Sequence, residues 1–283
     1  MEFSLINALQ NAGDYFPQRA LLLYGLFLLA LSPIGVIWFF FDTRSINKES
    51  PAIKPLRFLL SIGTYLITLS YFYNFVQPPR FQGLLPSLTV WISLIGCSLE
   101  LTFIITQAAR ARRSHFNNAT RFDAAINALM GVVALPFLSG GIPLIIEIAT
   151  HPRSGSNPLM LEAILTGFIV MQLLGGGTGV MMGIIQGNGS RAGSRRVPIF
   201  GWTLAGGDIR VAHFFAIHAV EIFPVVAGAL LFLEPASALS LWRLFSLTFI
   251  ALTIYLCYWA WTTKLPTSAT GGSIPKTVEH FTA

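Results

Sequence analysis

The chain has 283 residues, of which 54% are hydrophobic and 11% charged, and a formal net charge of +6. Soluble domains carry about 25% charged residues, so this chain has too little polar surface to enclose a soluble core. The positive balance falls in short loops between apolar runs, where it reads as a topology signal and not as a nucleic-acid surface.

A bilayer core of roughly 30 Å takes about 20 apolar residues as a helix. Seven stretches qualify: 20–41, 55–76, 83–106, 122–150, 159–187, 209–233 and 241–264. The first runs into Phe39-Phe40-Phe41-Asp42 with no small-residue cleavage site, which predicts a retained span and not a signal peptide. Pro33 in the first span, Pro136 with Gly140, Gly141 and Pro143 in the fourth, and Pro224 in the sixth predict kinked or loosened helices.

The cations orient the spans. Arg44, Lys48, Lys54, Arg57, Arg110, Arg112, Arg113, Arg121, Arg191, Arg195, Arg196, Arg210, Lys264 and Lys276 fall on one side, against Arg19, Arg80, Arg153 and Arg243 on the other. The richer side is expected to be cytoplasmic. The predicted fold is therefore an all-α seven-helix transmembrane bundle, with the N-terminus outside and the C-terminus in the cytoplasm. Residues 1–283 form one transmembrane domain, and 265–283, rich in Thr, Ser and Gly, a flexible cytoplasmic tail. Cys97 and Cys257 both lie in apolar runs and read as small buried hydrophobes, with no disulfide framework and no metal-binding spacing.

Polar side chains within the spans carry the functional information, because helical backbone is self-satisfied in hydrocarbon. Span two has Ser61, Thr64, Tyr65, Thr68 and Tyr71 at helical spacing, and span three has Ser93, Gly96, Cys97 and Glu100. Such stripes face the bundle interior and hold helices together by about 0.6 kcal/mol per hydrogen bond. Span five carries Gly175, Gly179, Gly183 and Gly187, which either let a neighbouring helix approach or clear space for a flat ligand such as a quinone, carotenoid or haem. Gln172, one turn before that row, is the polar group of this span most suited to a binding role.

The densest chemistry lies in span six, in Gly206-Gly207-Asp208-Ile209-Arg210-Val211-Ala212-His213 and on through His218 and Glu221. Arg210, His213, His218 and Glu221 fall within an arc of about 140° and over about 16 Å of helix. Ionisable groups at that depth cost roughly 2.5–3.5 kcal/mol each if charged and unpaired, so partners are expected. Glu100 of span three lies at the depth of the two histidines, and His218 and Glu221 are one turn apart. His213, His218, Glu221 and Glu100 are accordingly the candidate catalytic residues, as acid–base or metal-binding groups. Gln172, Tyr65, Asp208 and Arg210 are the candidate binding residues. The bland alternative makes Asp208 a helix cap, Arg210 an anchor and the rest a buried hydrogen-bond network.

Sharper assignments fail on spacing. Histidines five apart diverge by about 140°, unlike the four-residue pair that binds zinc on a helix. A di-iron bundle needs Glu-x-x-His twice, and this chain has only the reverse order, once. A bis-histidine haem would need a third histidine, and His115, His151 and His280 lie in loops or the tail. Retinal would need a lysine inside the last span, and Lys264 sits at its edge. No metal site is assigned and the cofactor stays open.

Gly201-Trp202-Thr203, then Gly206-Gly207-Asp208-Ile209-Arg210, then His213-Phe214 and His218, resembles a segment of uncharacterised bacterial multi-span membrane proteins. The resemblance covers about twenty residues and implies a bacterial inner-membrane setting, with no activity attached. Three functions fit the sequence: an intramembrane enzyme acting on a lipid-soluble small molecule, a small proton-coupled transporter, or a non-catalytic membrane subunit or sensor. The bilayer itself is the one partner implied throughout.

Overall fold

The computed structural model describes residues 16–46, 49–184, 197, 200–203 and 207–263. Seven helices among them are long and apolar enough to cross a membrane. They are α1 (Phe16–Phe41), α2 (Ile53–Phe72, prolonged by a 3-10 turn at Tyr73–Phe75) and α3 (Leu84–Ala109), followed by α4 (Arg121–Thr150), α5 (Pro158–Ile184), α6 (Ile209–Leu230) and α7 (Pro235–Thr262). The seven-helix bundle is as expected. Boundaries move by a few residues, most at α7, which begins six residues early because Pro235 is preset for the first helical turn. The expected tail 265–283, Gly187, Lys264, His280 and the loop cations Lys48, Arg191, Arg195 and Arg196 lie outside the described residues.

Loop contacts define the two ends. At one, Arg44 Nη1 donates to Ala109 O (3.0 Å), Lys54 reaches Ser114 and His115 of the α3–α4 loop, and Glu49 stands against Gly201. This is the basic end. Here Asp42 accepts from the Arg44 guanidinium and from Trp38, which together hold its carboxyl well below the usual range. At the other end Val76 pairs with Pro152, Arg153 N donates to Phe75 O (2.8 Å), and Arg80 pairs with the buried Glu147.

Close helix approach depends on glycine where two backbones meet. Gly25 of α1 and Gly63 of α2 face each other, and a Cβ on Gly25 would stand 2.8 Å from Gly63 O. Gly167 of α5 does the same against α6, at 2.7 Å from Ala219 O. These contacts replace the bulkier packing of soluble helices, since lipid offers no hydrophobic drive to associate. The α6–α7 seam is aromatic instead, with Phe223 edge-on to Trp242 at 5.1 Å between centroids.

Two predicted irregularities take a definite form. The fourth span is two helices, Arg121–Ser139 and Ile142–Thr150, parted at Gly140-Gly141, with Pro136 inside the first. The break frees backbone groups. Leu138 O accepts from Gln172 Nε2 of α5 (2.6 Å), and Leu144 N donates to Thr89 Oγ1 of α3 (2.9 Å). The fifth span contains a π turn at Met171–Gly175, a local widening often found beside functional groups. Pro33 and Pro224, by contrast, lie within unbroken helices.

Candidate functional site

The start of α6 fixes the depth of everything that follows. Asp208 caps the helix by accepting from Arg210 N (3.1 Å), and it also accepts from Thr203 N (3.0 Å) and the Arg210 guanidinium (2.6 Å). Arg210 Nη2 in turn donates to Gly201 O at 2.5 Å. Asp208 is 2% exposed and fully engaged, so this pair serves the helix end and the 200–203 loop. Gly207 packs against Ala260 of α7, and its N–H reaches Thr263 Oγ1 (2.7 Å).

His213 and His218 then diverge, as a five-residue spacing requires. His213 turns toward α5. Its Nδ1 lies 3.1 Å from Gly175 O and 3.0 Å from Thr178 Oγ1. A carbonyl only accepts, so Nδ1 carries the proton and Nε2 is left with a lone pair. Gly179 lies beside this ring, and an added Cβ there would make ordinary contact with His213 Cε1 at 3.7 Å. Gly175 packs against Ile217 of α6, while Gly183 has open space beside it. Of the described glycines in the row, Gly175 lets α6 approach closely, which is the packing purpose expected of it.

His218 turns toward α2. Its Nδ1 lies 3.3 Å from Glu221 Oε2 on its own helix, and its Nε2 lies 3.3 Å from Ser61 Oγ across the helix interface. Nδ1–H donates to the carboxylate, so Nε2 accepts from the serine hydroxyl. The imidazole packs at a tilt against Phe214, 4.5 Å between centroids, and Phe214 stacks edge-on with Trp202 at 5.2 Å. One turn deeper than Ser61 is Tyr65, buried edge-on to Phe137. Its hydroxyl lies toward Gly141 without a hydrogen bond of normal geometry, and Glu221 is near enough to act on it electrostatically.

Glu100 does not join the α6 histidines. It is 2% exposed and its Oε1 lies 3.4 Å from His115 Nε2, while Oε2 has no partner. α3 packs chiefly on α1, α2 and α4, and the partner of Glu100 is the loop histidine instead. Gln172 is spent on the carbonyl of Leu138. The sequence thus placed His218 beside Glu221, but did not pair Ser61 with His218 or bring His115 inward. Ser61 was visible as part of the α2 hydroxyl stripe. Counting depth would have found it, since Ser61 is eight residues into α2 and His218 nine residues into the parallel α6.

Among the described residues no group of three or more His, Cys, Asp or Glu side chains is arranged to hold a metal ion. Compared with protein-family models, curated proteins and solved structures, the chain matches none of them.

Proposed function

We propose that this chain is an intramembrane enzyme that acts on a lipid-soluble ester, with Ser61 as nucleophile, His218 as general base and Glu221 as the group that orients it. The observation that supports this is a single imidazole bonded through its two nitrogens to a hydroxyl and a carboxylate, in the order Ser61, His218, Glu221. That order is the one nucleophilic catalysis needs. The base takes the serine proton at Nε2, and a carboxylate at Nδ1 fixes the tautomer and stabilises the imidazolium. Separations of 3.3 Å are loose for such bonds, as is common before substrate closes the site.

The remaining requirement is a donor for the developing oxyanion. Tyr65 meets it in kind, being an unpartnered buried hydroxyl one turn from Ser61 on the same helix. Ser61 lies about 12 Å from the basic end of α2. An acyl ester of a membrane lipid reaches that depth and a water-borne ester does not. The N-out orientation and the bacterial inner-membrane location belong to the same reading, supported by the cation bias and by the resemblance of the α6 segment.

Purified protein in lipid nanodiscs is expected to hydrolyse a long-chain fluorogenic ester, and S61A is expected to lose that activity while inserting normally. Equal turnover by S61A and wild type would remove Ser61 from the chemistry.

A further inference from the structure

A second ionisable cluster stands apart from the Ser61–His218–Glu221 chemistry. Lys54 Nζ, at the start of α2, donates to Ser114 Oγ (2.5 Å) and to His115 Nδ1 (2.9 Å). With Nδ1 accepting, His115 carries its proton on Nε2, which faces Glu100 Oε1 at 3.4 Å. Three titratable side chains from α2, the α3–α4 loop and α3 are thus joined end to end through one imidazole. Beyond them Glu100 Oε2 is buried without a hydrogen-bond partner.

The chain also has an outlet. His115 lines a cavity of about 250 Å³ together with Phe116, Asn118, Asn127, Gly131 and Gly183. A side chain added at Gly131 or Gly183 would meet nothing within 4 Å, so the glycines hold this space open between α4 and α5. One imidazole therefore touches the buried carboxylate, the ammonium group and an open cavity at the basic end.

We propose that Lys54, His115 and Glu100 form a proton-transfer chain between that cavity and the interior of the bundle. In the transfer step a Lys54 N–H bond breaks as a bond to His115 Nδ1 forms, and the His115 Nε2–H bond breaks as an O–H bond forms on Glu100. The products are a neutral amine, a neutral imidazole of the other tautomer and a carboxylic acid. Two charges, one of them buried, vanish without any side chain moving, which relieves the desolvation cost of the pair. A proton from solvent in the cavity then binds His115 Nε2 as the Nδ1 proton passes back to the Lys54 amine, which restores the ammonium group and the first tautomer. The charges around the chain pull both ways: Glu100 holds the proton on Lys54, and three guanidinium groups oppose it. Arg57 of α2, Arg113 of the loop and Arg210 of α6 are within electrostatic range of its ammonium, and His213 of α6 is within range of His115.

The test is time-resolved infrared spectroscopy of the full-length protein in nanodiscs after a pH jump. Wild type is expected to show a protonated-carboxyl band that is missing in E100Q. H115Q keeps an amide donor for Glu100 and an acceptor for Lys54 but cannot relay a proton. It should slow the rise of that band about a hundredfold. K54M severs the other end and should slow it as well. An identical band in E100Q would show that Glu100 takes no proton. An unchanged rate in H115Q, which preserves the docking of the loop, would overturn the relay.

Discussion

Ser61 Oγ and His218 Nε2 meet at 3.3 Å across the α2–α6 interface, each about two turns in from the basic end of its helix. The two helices run parallel, so equal depth comes from equal distance along the chain. A hydroxyl and an imidazole thereby share a layer of the bundle.

Removing the imidazole is the first expectation. His218→Ala should cut ester hydrolysis by about a thousandfold or more, because base and nucleophile act as one unit. Membrane insertion should be intact, since Ala216 and Ala219 carry the buried packing beside it. Turnover per unit of membrane-extracted protein measures this.

Glu221→Gln separates charge from shape. The amide keeps a hydrogen-bonding group 3.3 Å from His218 Nδ1 but offers no charge to the imidazolium. Activity should fall by about a hundredfold or more with little change in KM, as expected for stabilisation made only in the transition state. Steady-state kinetics at saturating ester distinguishes this from a binding defect.

Gln172 is expected to matter to stability and not to turnover. Replacing it by Leu leaves the Leu138 carbonyl at the break in α4 without its 2.6 Å partner, at a cost of about 1 kcal/mol. A lowered unfolding midpoint in detergent, with near-normal kcat at low temperature, is the expected pair of results.

Glycines at contacts and in open space should part company. Gly167→Val pushes a side chain into Ala219 O and should cost about 1–3 kcal/mol. Gly177 has nothing within 4 Å of an added Cβ, and Gly177→Ala should be neutral or slightly stabilising. Thermal denaturation of the two variants side by side reads the difference.

The α3–α4 loop should be pH-sensitive through His115. Burial, and then the neighbouring Lys54 ammonium, depress its pKa below the ordinary value of about 6.5, against the pull of Glu100. A histidine depressed in the docked state binds fewer protons there than when released, so docking strengthens as pH rises. That contribution is complete above about 6.5 and is lost as pH falls from there through the depressed value. Hydrogen exchange of residues 110–120, corrected for intrinsic rates, should show the loop opening on acidification in wild type and much less so in H115Q.

The seven spans were legible because hydrocarbon thickness converts directly into run length, and the break in α4 because Gly140-Gly141 precedes Pro143. The His218–Glu221 pair followed from helical spacing alone. What spacing does not carry is lateral order. Helix counting puts Glu100 at the depth of His218, yet α3 packs chiefly on α1, α2 and α4, and only the assembled bundle gives Glu100 to His115. His115 itself sits in a polar loop, and its inward turn rests on a tertiary contact with Lys54, sixty-one residues away in sequence. Ser61 resembled its neighbouring hydroxyls because a nucleophile and a structural serine differ in partner and not in type.

The most direct measurement is mass-spectrometric mapping of the protein after reaction with a fluorophosphonate in nanodiscs. A stoichiometric adduct on Ser61, absent in His218→Ala, is the predicted result. An unmodified Ser61 under conditions that label a control serine hydrolase, or equal labelling in His218→Ala, would contradict a catalytic Ser61–His218 pair.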